Sequence, residues 1–369
     1  MPTLWINVCE PSADIYAGLL ISWLKKHCPC LKIIGMGGLH SRKAGLEALY
    51  RAEDLSVMGL VEVFSSLPRI LKLLKNIKLS LAKYKPDAII LFDAPDFNFR
   101  LAKYAAGLNI PVFYYIAPQL WAWRPSRVKF LKKYVRKVFA IFPFEKEFFQ
   151  KQGVNTLYVG HPLLELIDFS VYSSIPRKPN KLLLLPGSRK KEVSKLLPVF
   201  GQTVSLLQKN NPNLQVTLIK SHNLELNFIK SFLPLKHDYE IVDTEKRYEQ
   251  MASAKLALAA SGTVTLECAL LSLPTIITYK LNPISFFIGK HLVNVSAIGM
   301  PNLIAREKIL PEFIQDEVYP ENLTKAILDM LNPDNYQKII QKLKIIREIL
   351  GQERATPTVG QHILNFLKE

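Results

Sequence analysis

The stretch Lys181–Leu197, KLLLLPGSRKKEVSKLL, constrains the fold of this chain more than any other. Its four consecutive leucines, Leu182–Leu185, predict a short strand that is buried on both faces, as the strands of parallel sheets are. Pro186 and Gly187 break the strand, and apolar residues at helical spacing follow them. A buried strand, a tight turn and an amphipathic helix in this order predict an α/β protein with a parallel sheet.

The turn inside this stretch predicts a binding site for phosphate. Gly187 and Ser188 lie just before the helix, where unpaired backbone N–H groups and the positive end of the helix dipole attract anions. Arg189 adds a planar guanidinium that can hold two phosphate oxygens at once. The alternative is an ordinary strand–helix connection with a solvated arginine, and this turn alone does not decide between the two.

A second turn of the same kind lies in Lys255–Leu271, KLALAASGTVTLECALL. An apolar strand runs into Ser261, Gly262 and Thr263, small residues that let a diphosphate approach the backbone at the start of a helix. Glu267 follows Thr263 by four positions and therefore lies one turn further on the same helix face. A carboxylate at that place suits the ribose hydroxyls of a nucleotide, so the pair of turns favours a phosphate-bearing ligand.

Acidic side chains follow two predicted strands in the first half of the chain. Glu10 and Asp14 follow the first strand, and Asp93 and Asp96 follow the strand that ends at Phe92. Ligands of open parallel sheets bind at the carboxyl ends of strands, and an aspartate there can serve as a general base when its pKa is tuned. The alternatives are compensation of a helix dipole for the first two acids and turn formation for the two aspartates.

The chain is strongly basic, which predicts a partner with negative charge. Lysine and arginine number 48 against 31 for aspartate and glutamate, a net charge of +17. The predicted helix 67–84 has an apolar stripe with lysines largely opposite, and an apolar loop, 57–64, precedes it. Such a helix either packs on a core or inserts into an anionic membrane surface. No apolar run reaches the roughly 18 residues of a membrane span, and we expect no signal peptide and no disulfide, which favours a cytoplasmic protein.

The rhythm of strands and turns predicts two domains of one class. We expect two Rossmann-like, doubly wound parallel sheets that face each other across a cleft. The predicted parts are an N-terminal domain (1–168), a linker rich in serine and proline (169–180), a C-terminal domain (181–345) and a helical tail (346–369) that packs back on the body. Within them, Ser12 is the predicted N-cap of the first helix and residues 311–315 are a predicted polar loop.

Nine short motifs run along the chain: CEPSAD, VMGLVEV, LFDAPDFN, YYIAPQLWAWR, FPFE, VGHPL, LPGSR, SGTVTLE and PNLI. In this order they resemble the lipid-A-disaccharide synthase family, and the resemblance extends from Ile6 to about Gln315. APQLWAWR and DAPDFN are long enough to be specific. Cys9 and Ala13 stand where that family has glycines, and we expect a slightly tighter loop there.

The resemblance implies a two-domain GT-B glycosyltransferase. It implies transfer of 2,3-diacylglucosamine from UDP-2,3-diacylglucosamine to 2,3-diacylglucosamine 1-phosphate, which gives a β(1→6)-linked disaccharide and UDP. No Asp-x-Asp pair occurs, so helix starts and Arg189, with no metal ion or cofactor, are expected to take the charge of the leaving group. The protein is expected to lie peripherally on the anionic inner membrane, on its cytoplasmic side, with no nucleic-acid partner; a homodimer stays open.

Roles for single residues follow from the resemblance. Asp96 is the expected base that takes the proton from the acceptor's 6-hydroxyl, with Asp93 as the second candidate and Glu10 as the third. Substrate contacts are expected from Asp14, Asn98, Gly187, Ser188, Arg189, Ser261, Gly262, Thr263, Glu267, Asn302 and Gln315. Two rival functions stay open: another UDP-sugar enzyme of this fold, such as a different transferase or a 2-epimerase, and a non-enzymatic basic protein that binds a membrane or nucleic acid.

Overall fold

A computed structural model describes residues 1–56, 63–122, 125–234, 237–280, 297–351 and 354–369 of the chain. The chain divides into two compact units: unit 1 comprises Met1–Glu165 and Gln352–Glu369, and unit 2 comprises Leu166–Gly351. Residues 169–180, the predicted linker, lie in unit 2 and contain the helix Phe169–Tyr172. Residue 346, where the predicted tail begins, lies inside the helix Pro333–Leu350, and the helix Ala355–Lys368 belongs to unit 1.

Unit 1 contains a seven-stranded parallel sheet in the order β3-β2-β1-β4-β5-β6-β7. The strands are β1 (Thr3–Val8), β2 (Lys32–Gly37), β3 (Glu47–Arg51), β4 (Ala88–Phe92), β5 (Val112–Tyr115), β6 (Lys137–Ala140) and β7 (Thr156–Tyr158). The helices of unit 1 are Pro11–His27, Leu39–Lys43, Glu53–Ser56, Val63–Tyr84, Pro95–Gly107, Val128–Tyr134, Pro143–Lys151 and Ala355–Lys368, with a 3₁₀ turn at Pro125–Arg127; Leu163–Leu166 lies at the boundary.

Unit 2 contains a six-stranded parallel sheet in the order β10-β9-β8-β11-β12-β13. The strands are β8 (Lys181–Leu185), β9 (Gln215–Lys220), β10 (Tyr239–Asp243), β11 (Leu256–Ala260), β12 (Thr275–Tyr279) and β13 (Glu312–Ile314). Its other helices are Lys190–Asn210, Leu226–Lys230, Arg247–Ser253, Thr263–Leu270, Met300–Ala305, Pro320–Leu331 and Pro333–Leu350, with 3₁₀ turns at Thr244–Lys246 and Gln315–Glu317. The predicted α/β class with two parallel sheets is confirmed.

Two local predictions are wrong. The first helix begins at Pro11 with Glu10 as its N-cap, not with Ser12, because proline is preorganised for the first helical position and fixes the start there. The predicted loop 311–315 contains β13, which pairs with β12 at the edge of the unit 2 sheet. A three-residue strand is too short for its alternation to be recognised in the sequence.

The strand order reverses once in each sheet, and this places the loops of the candidate site. In unit 1 the reversal lies between β1 and β4, whose last residues, Val8 and Phe92, are paired. In unit 2 it lies between β8 and β11, where Leu185 pairs with Ala259. Loops after two neighbouring parallel strands leave the sheet at the same edge. Such switch points form the crevices in which sheets of this kind bind ligands.

Candidate active site

The first predicted phosphate corner lies at the carboxyl end of β8. Gly187 has a φ of +103°, a left-handed conformation that favours glycine. Ser188 and Arg189 follow it, both exposed, and Arg189 is the N-cap of the helix Lys190–Asn210. The strand, the glycine turn and the helix start predicted here are all present.

The carboxylate of Glu192 lies over this corner, and we did not expect it there. A Cβ placed on Gly187 would collide with Glu192 Oε2, and the carboxylate accepts the backbone N–H groups of Ser188 and Arg189. Burial raises the pKa of the Glu192 carboxyl, although Arg189 and these two N–H groups act in the opposite direction. An acid three residues after an N-cap is a capping pattern, so the sequence contained the signal. The protein's own carboxylate thus uses donors that a phosphate would need.

The second predicted corner lies at the carboxyl end of β11, directly beside the first in the sheet. Gly262 is the N-cap of the helix Thr263–Leu270. A Cβ placed on Gly262 would meet no described atom within 4 Å, so the backbone is open to an approaching ligand. Ser261 Oγ donates to the carbonyl of Ile298 at 3.2 Å. The two corners, which are far apart in the sequence, therefore lie on neighbouring strands.

Glu267 lies one turn into this helix, in a buried ion pair. Its Oε1 accepts a hydrogen bond from Arg247 Nε at 3.0 Å and another from the hydroxyl of Tyr248 at 2.9 Å. The side chains of Arg247 and Glu267 are 18% and 9% exposed. We predicted neither Arg247 nor Tyr248 as a site residue, because no spacing in the sequence links a helix after β10 to a helix after β11.

Asn302 and Gln315 differ in what they contact. The buried amide of Asn302 donates to the carbonyl of Leu310 and to Glu312, and its Oδ1 accepts the N–H groups of Ile309 and Leu310. Asn302 therefore secures the chain that leads into β13. Gln315 lies at the carboxyl end of β13 with a φ of +53°, two strands away from β11.

In unit 1, Asp93 lies at the carboxyl end of β4. Its backbone has a left-handed conformation that residues other than glycine seldom adopt. The φ angles of Asp93 and Ala94 are +49° and +42°. Asn98, which is fully buried, donates to the carbonyl of Asp93 at 2.9 Å, and the hydroxyl of Tyr114 donates to the same carbonyl. Strain of this kind persists where the surroundings fix it, and it clusters at functional sites. Burial also raises the pKa of the Asp93 carboxyl, although the backbone N–H of Ala94 acts in the opposite direction.

Glu10 and Asp93 follow the neighbouring strands β1 and β4, whereas Asp96 forms an ion pair. The pKa of the buried Cys9 thiol is raised. Burial is the largest cause, and the negative charges of Asp93 and then Glu10 add to it. Asp96 lies in the first turn of the next helix, and its side chain is 65% exposed. Its Oδ1 forms an ion pair with Arg127 Nη1 at 2.6 Å. Glu10 and Asp93 thus follow two paired strands, whereas Asp96 is bound to Arg127.

Asp14 is buried and caps a helix other than its own. Its Oδ2 accepts the N–H of His40 at 2.8 Å. Its Oδ1 accepts the N–H of Gly38 at 2.7 Å, the N–H of Ser41 at 3.3 Å and the Ser41 hydroxyl. These are the donors at the start of the helix Leu39–Lys43. The protein's own donors use both oxygens, which indicates that Asp14 caps this helix. The expected contact of Asp14 with substrate stays a prediction.

A further buried acid, Glu145, lies in the first turn after β6. Its Oε1 accepts from the indole nitrogen of Trp121 at 3.2 Å, and its Oε2 accepts the N–H groups of Ile141 and Phe142, each at 3.3 Å. Burial raises the pKa of Glu145 to about 7. The carboxyl therefore connects the loop that carries Trp121 to the end of β6.

The helix Val63–Tyr84 is only partly covered by the body of unit 1. Leu74, Ile77 and Leu81 are buried in its C-terminal half. Leu67, Leu71 and Leu79 are 44%, 44% and 58% exposed, and the exposed cations of this helix are Arg69, Lys72, Lys75 and Lys83. Most of the predicted apolar loop, residues 57–62, lies outside the described residues. None of the helices in the described part of the chain combines the length and the apolar character needed to cross a bilayer.

Comparison with known proteins agrees with the motifs. A profile of the family described as lipid-A-disaccharide synthetase matches residues 4–359. The lipid-A-disaccharide synthase of Coxiella burnetii is 37% identical over 367 residues, which cover 97% of this chain and 96% of that protein. The lipid-A-disaccharide synthase of Myxococcus xanthus is 33% identical over 374 residues, which cover 99% of this chain and 98% of that protein.

Solved structures show the same fold at low sequence identity. UDP-GlcNAc 2-epimerase from Neisseria meningitidis, bound to UDP-GlcNAc, matches with a TM-score of 0.67 at 14% identity and covers 99% of this chain and 100% of its own. MurG from Acinetobacter baumannii matches with a TM-score of 0.59 at 13% identity, with the same coverage. At such identities the likeness establishes the GT-B fold alone. The family match over nearly the whole chain and relatives above 30% identity go further: this chain belongs to the lipid-A-disaccharide synthase family.

Proposed function

We propose that this chain transfers 2,3-diacylglucosamine from UDP-2,3-diacylglucosamine to the 6-hydroxyl of 2,3-diacylglucosamine 1-phosphate and releases UDP. Membership in its family makes it a glycosyltransferase of lipid A disaccharide synthesis. One observation carries the proposal for the donor: the corners after β8 and β11 lie side by side at the switch point of the unit 2 sheet. Nucleotides bind at such edges in sheets of this class.

The donor's charge and hydroxyl groups find complementary groups at this edge. The backbone of Gly187 and Ser188 and the guanidinium of Arg189 would bind the diphosphate, and Glu267 the ribose. Ser261, Gly262 and Thr263 would form the opposite wall of the phosphate site. Gln315 would contact the donor from the end of β13, and Asn302 would act indirectly by holding the segment before that strand.

We propose Asp93, not Asp96, as the general base. A partly buried carboxyl with a raised pKa accepts a proton near neutral pH more readily than a carboxylate in a close ion pair with an arginine. In the reaction Asp93 takes the proton of the acceptor's 6-hydroxyl. At the same time the oxygen of that hydroxyl forms a bond to the anomeric carbon of the donor. The bond from that carbon to UDP breaks with inversion, and Arg189 and the helix N–H groups stabilise the charge on the diphosphate.

The other acids of unit 1 then have supporting roles. Glu10 follows β1, the strand beside the one that carries the base, and is the candidate to bind a hydroxyl of the acceptor. Asn98 fixes the carbonyl of Asp93, and Asp14 fixes the loop that starts the helix Leu39–Lys43. These two residues are thus positioning residues.

The acylated substrates call for contact with a membrane. The helix Val63–Tyr84 presents exposed leucines together with exposed lysines, a combination that suits an anionic bilayer surface. We propose that this helix rests on the cytoplasmic face of the inner membrane. The net charge of +17 would add to the attraction.

The proposed reaction is tested by measuring UDP release with and without the acyl-sugar acceptor. Release that requires the acceptor, with formation of the disaccharide, supports the transferase; isomerisation of the UDP-sugar without acceptor would show an epimerase instead. Arg189→Ala should reduce kcat/KM by about 10²-fold or more, because it removes a charged group from the leaving phosphate. Lys344→Ala, an exposed cation elsewhere in unit 2, is the matched control.

The assignment of the base is tested with two isosteric variants. Asp93→Asn should lower kcat by about 10²–10⁴-fold, while Asp96→Asn should stay within about tenfold of the parent. The kcat/KM of the parent should fall as pH drops through the raised pKa of Asp93, since the base must be ionised. A large loss in Asp96→Asn together with a small one in Asp93→Asn would reverse the assignment.

A further inference from the structure

A buried hydrogen-bonded network surrounds Glu267 and fixes one of its two oxygens. Arg247 Nη2 donates to the Tyr248 hydroxyl at 2.8 Å, and that hydroxyl donates to Glu267 Oε1 at 2.9 Å. Arg247 Nε donates to the same Oε1 at 3.0 Å. Arg247 is itself held by the carbonyl of Thr244, at 3.2 Å from Nη1. The carboxylate is therefore locked in orientation by two donors that converge on one atom.

The second oxygen of Glu267 is in a different situation. Among the residues that the structure describes, all hydrogen bonds to this carboxylate fall on Oε1. A carboxylate oxygen can accept two hydrogen bonds, and a buried anion gains much from each one. Oε2 therefore has the capacity to accept donors from a ligand.

The network lies at the same edge of the sheet as the phosphate corners. Arg247 and Tyr248 begin the helix Arg247–Ser253, which follows β10, and Glu267 lies near the start of the helix that follows β11. In a parallel sheet each of these helices starts at the carboxyl edge. Thr244 confirms the location, because its hydroxyl donates at 3.1 Å to the carbonyl of Lys220, the last residue of β9.

We propose that Arg247 and Tyr248 are positioning residues that hold Glu267 so that its Oε2 accepts the ribose hydroxyls of the nucleotide, and that this arrangement makes the protein select ribonucleotides. The proposal rests on the proposed binding of UDP in unit 2. A carboxylate free to rotate could bind one hydroxyl in many geometries. With Oε1 fixed by two donors, the other oxygen keeps one direction, and neighbouring hydroxyls of a ribose can both donate toward it.

The network also explains why selection should be strong. A ligand that lacks ribose hydroxyls would cover this carboxylate oxygen without supplying donors to it, which costs more than the loss of a solvated contact. The discrimination should therefore depend on Glu267 being charged and correctly oriented. A role of Arg247 and Tyr248 in packing alone would weaken all nucleotides equally.

The experiment measures the dissociation constants of UDP and of 2′,3′-dideoxyuridine 5′-diphosphate by calorimetry. The parent should bind UDP about 10–100-fold more tightly than the dideoxy analogue. Glu267→Gln should remove most of this ratio. Tyr248→Phe should reduce the ratio about threefold to tenfold with little change in affinity for the analogue, since one orienting donor is lost. Tyr336→Phe, which loses a hydroxyl that donates to the carbonyl of Lys255 elsewhere in unit 2, should leave the ratio unchanged.

The outcomes separate this proposal from the one on which it rests. Absence of UDP binding in the folded parent would overturn the proposed function and this inference together. Normal UDP binding with a parent ratio near one would overturn the inference alone. So would an equal weakening of both ligands by Tyr248→Phe. Arg247→Lys, checked for folding by its melting temperature, is the second variant and should reduce the ratio in the same direction.

Discussion

Replacement of Asp14 by asparagine should destabilise unit 1 and leave substrate affinity unchanged. The change is isosteric. If the amide oxygen takes the place of Oδ1, the amide nitrogen faces the N–H of His40, so one hydrogen bond is lost and two donors oppose each other. A hydrogen bond to a charged group contributes about 1.5–3 kcal/mol, and the bonds that remain to a neutral oxygen are weaker. We therefore expect the free energy of unfolding of unit 1 to fall by about 2–4 kcal/mol.

Tryptophan fluorescence during urea unfolding measures this cost. The tryptophans in the described residues, at positions 5, 23 and 121, belong to unit 1, so their emission reports that unit. With an m value of about 2 kcal/mol per M, the midpoint should fall by about 1–2 M urea. Glu47→Gln makes the same change at a side chain that is 55% exposed and should cost less than about 0.5 kcal/mol.

The same variants can refute this account of Asp14. If Asp14→Asn unfolds at the same urea concentration as Glu47→Gln, the carboxylate is not an important cap. If it also raises the KM for the acceptor by about tenfold or more, the residue contacts substrate as the sequence suggested.

Two further acids should make measurable properties depend on pH: Glu145 the stability of unit 1, and Glu192 the affinity for UDP. Burial raises the pKa of Glu145 from an ordinary value of 4.5 to about 7, so the folded state binds this proton more tightly than the unfolded state. The free energy of unfolding of unit 1 should therefore fall by about 3 kcal/mol as pH rises from 4.5 through 7. Glu145→Gln should abolish that slope in urea unfolding followed by tryptophan fluorescence; an unchanged slope would refute the assignment. The carboxylate of Glu192 competes with phosphate for the N–H groups of Ser188 and Arg189, so UDP should bind more tightly as pH falls and Glu192 gains a proton. Glu192→Gln should bind UDP about threefold or more tightly than the parent at pH 8 and lose the pH dependence in calorimetry; weaker binding would mean that the carboxylate instead shapes the corner.

Much of the fold follows from local pattern because its central strands are buried along their whole length. β4, β8 and β11 consist only of buried residues, so each appears in the sequence as an apolar run bounded by turn residues. The strands that local pattern does not reveal lie at sheet edges. β3, with the sequence EALYR, has no fully buried position, and β7 and β13 have three residues each. Their pairing partners, not their own composition, make them strands.

The parts of the candidate site that depend on local backbone shape could be predicted from the sequence. The parts that depend on partners far away in the chain could not. Gly187 and Gly262 mark corners that any parallel sheet would place at one edge, and their side-by-side arrangement needed only the strand order. The fate of a polar side chain depends on residues far away in the chain. Asp14 accepts the N–H of His40. Asn98 donates to the carbonyl of Asp93 and accepts a hydrogen bond from the side chain of Asn7. Nothing in the spacing of either residue distinguishes an inward partner from a ligand.

Unit 1 is assembled from two separated pieces of chain, and this has a consequence for its biogenesis. The helix Ala355–Lys368 lies against the first helix, where a Cβ on Gly360 would collide with the indole of Trp23, and Phe366 meets the ring of Phe113 at 5.2 Å. At about 5–20 residues per second, a ribosome needs on the order of ten seconds or more to translate unit 2 before that helix appears. During this interval the nascent unit 1 exposes aromatic rings that the last helix later covers, and exposed apolar surface of this kind favours aggregation before synthesis is complete.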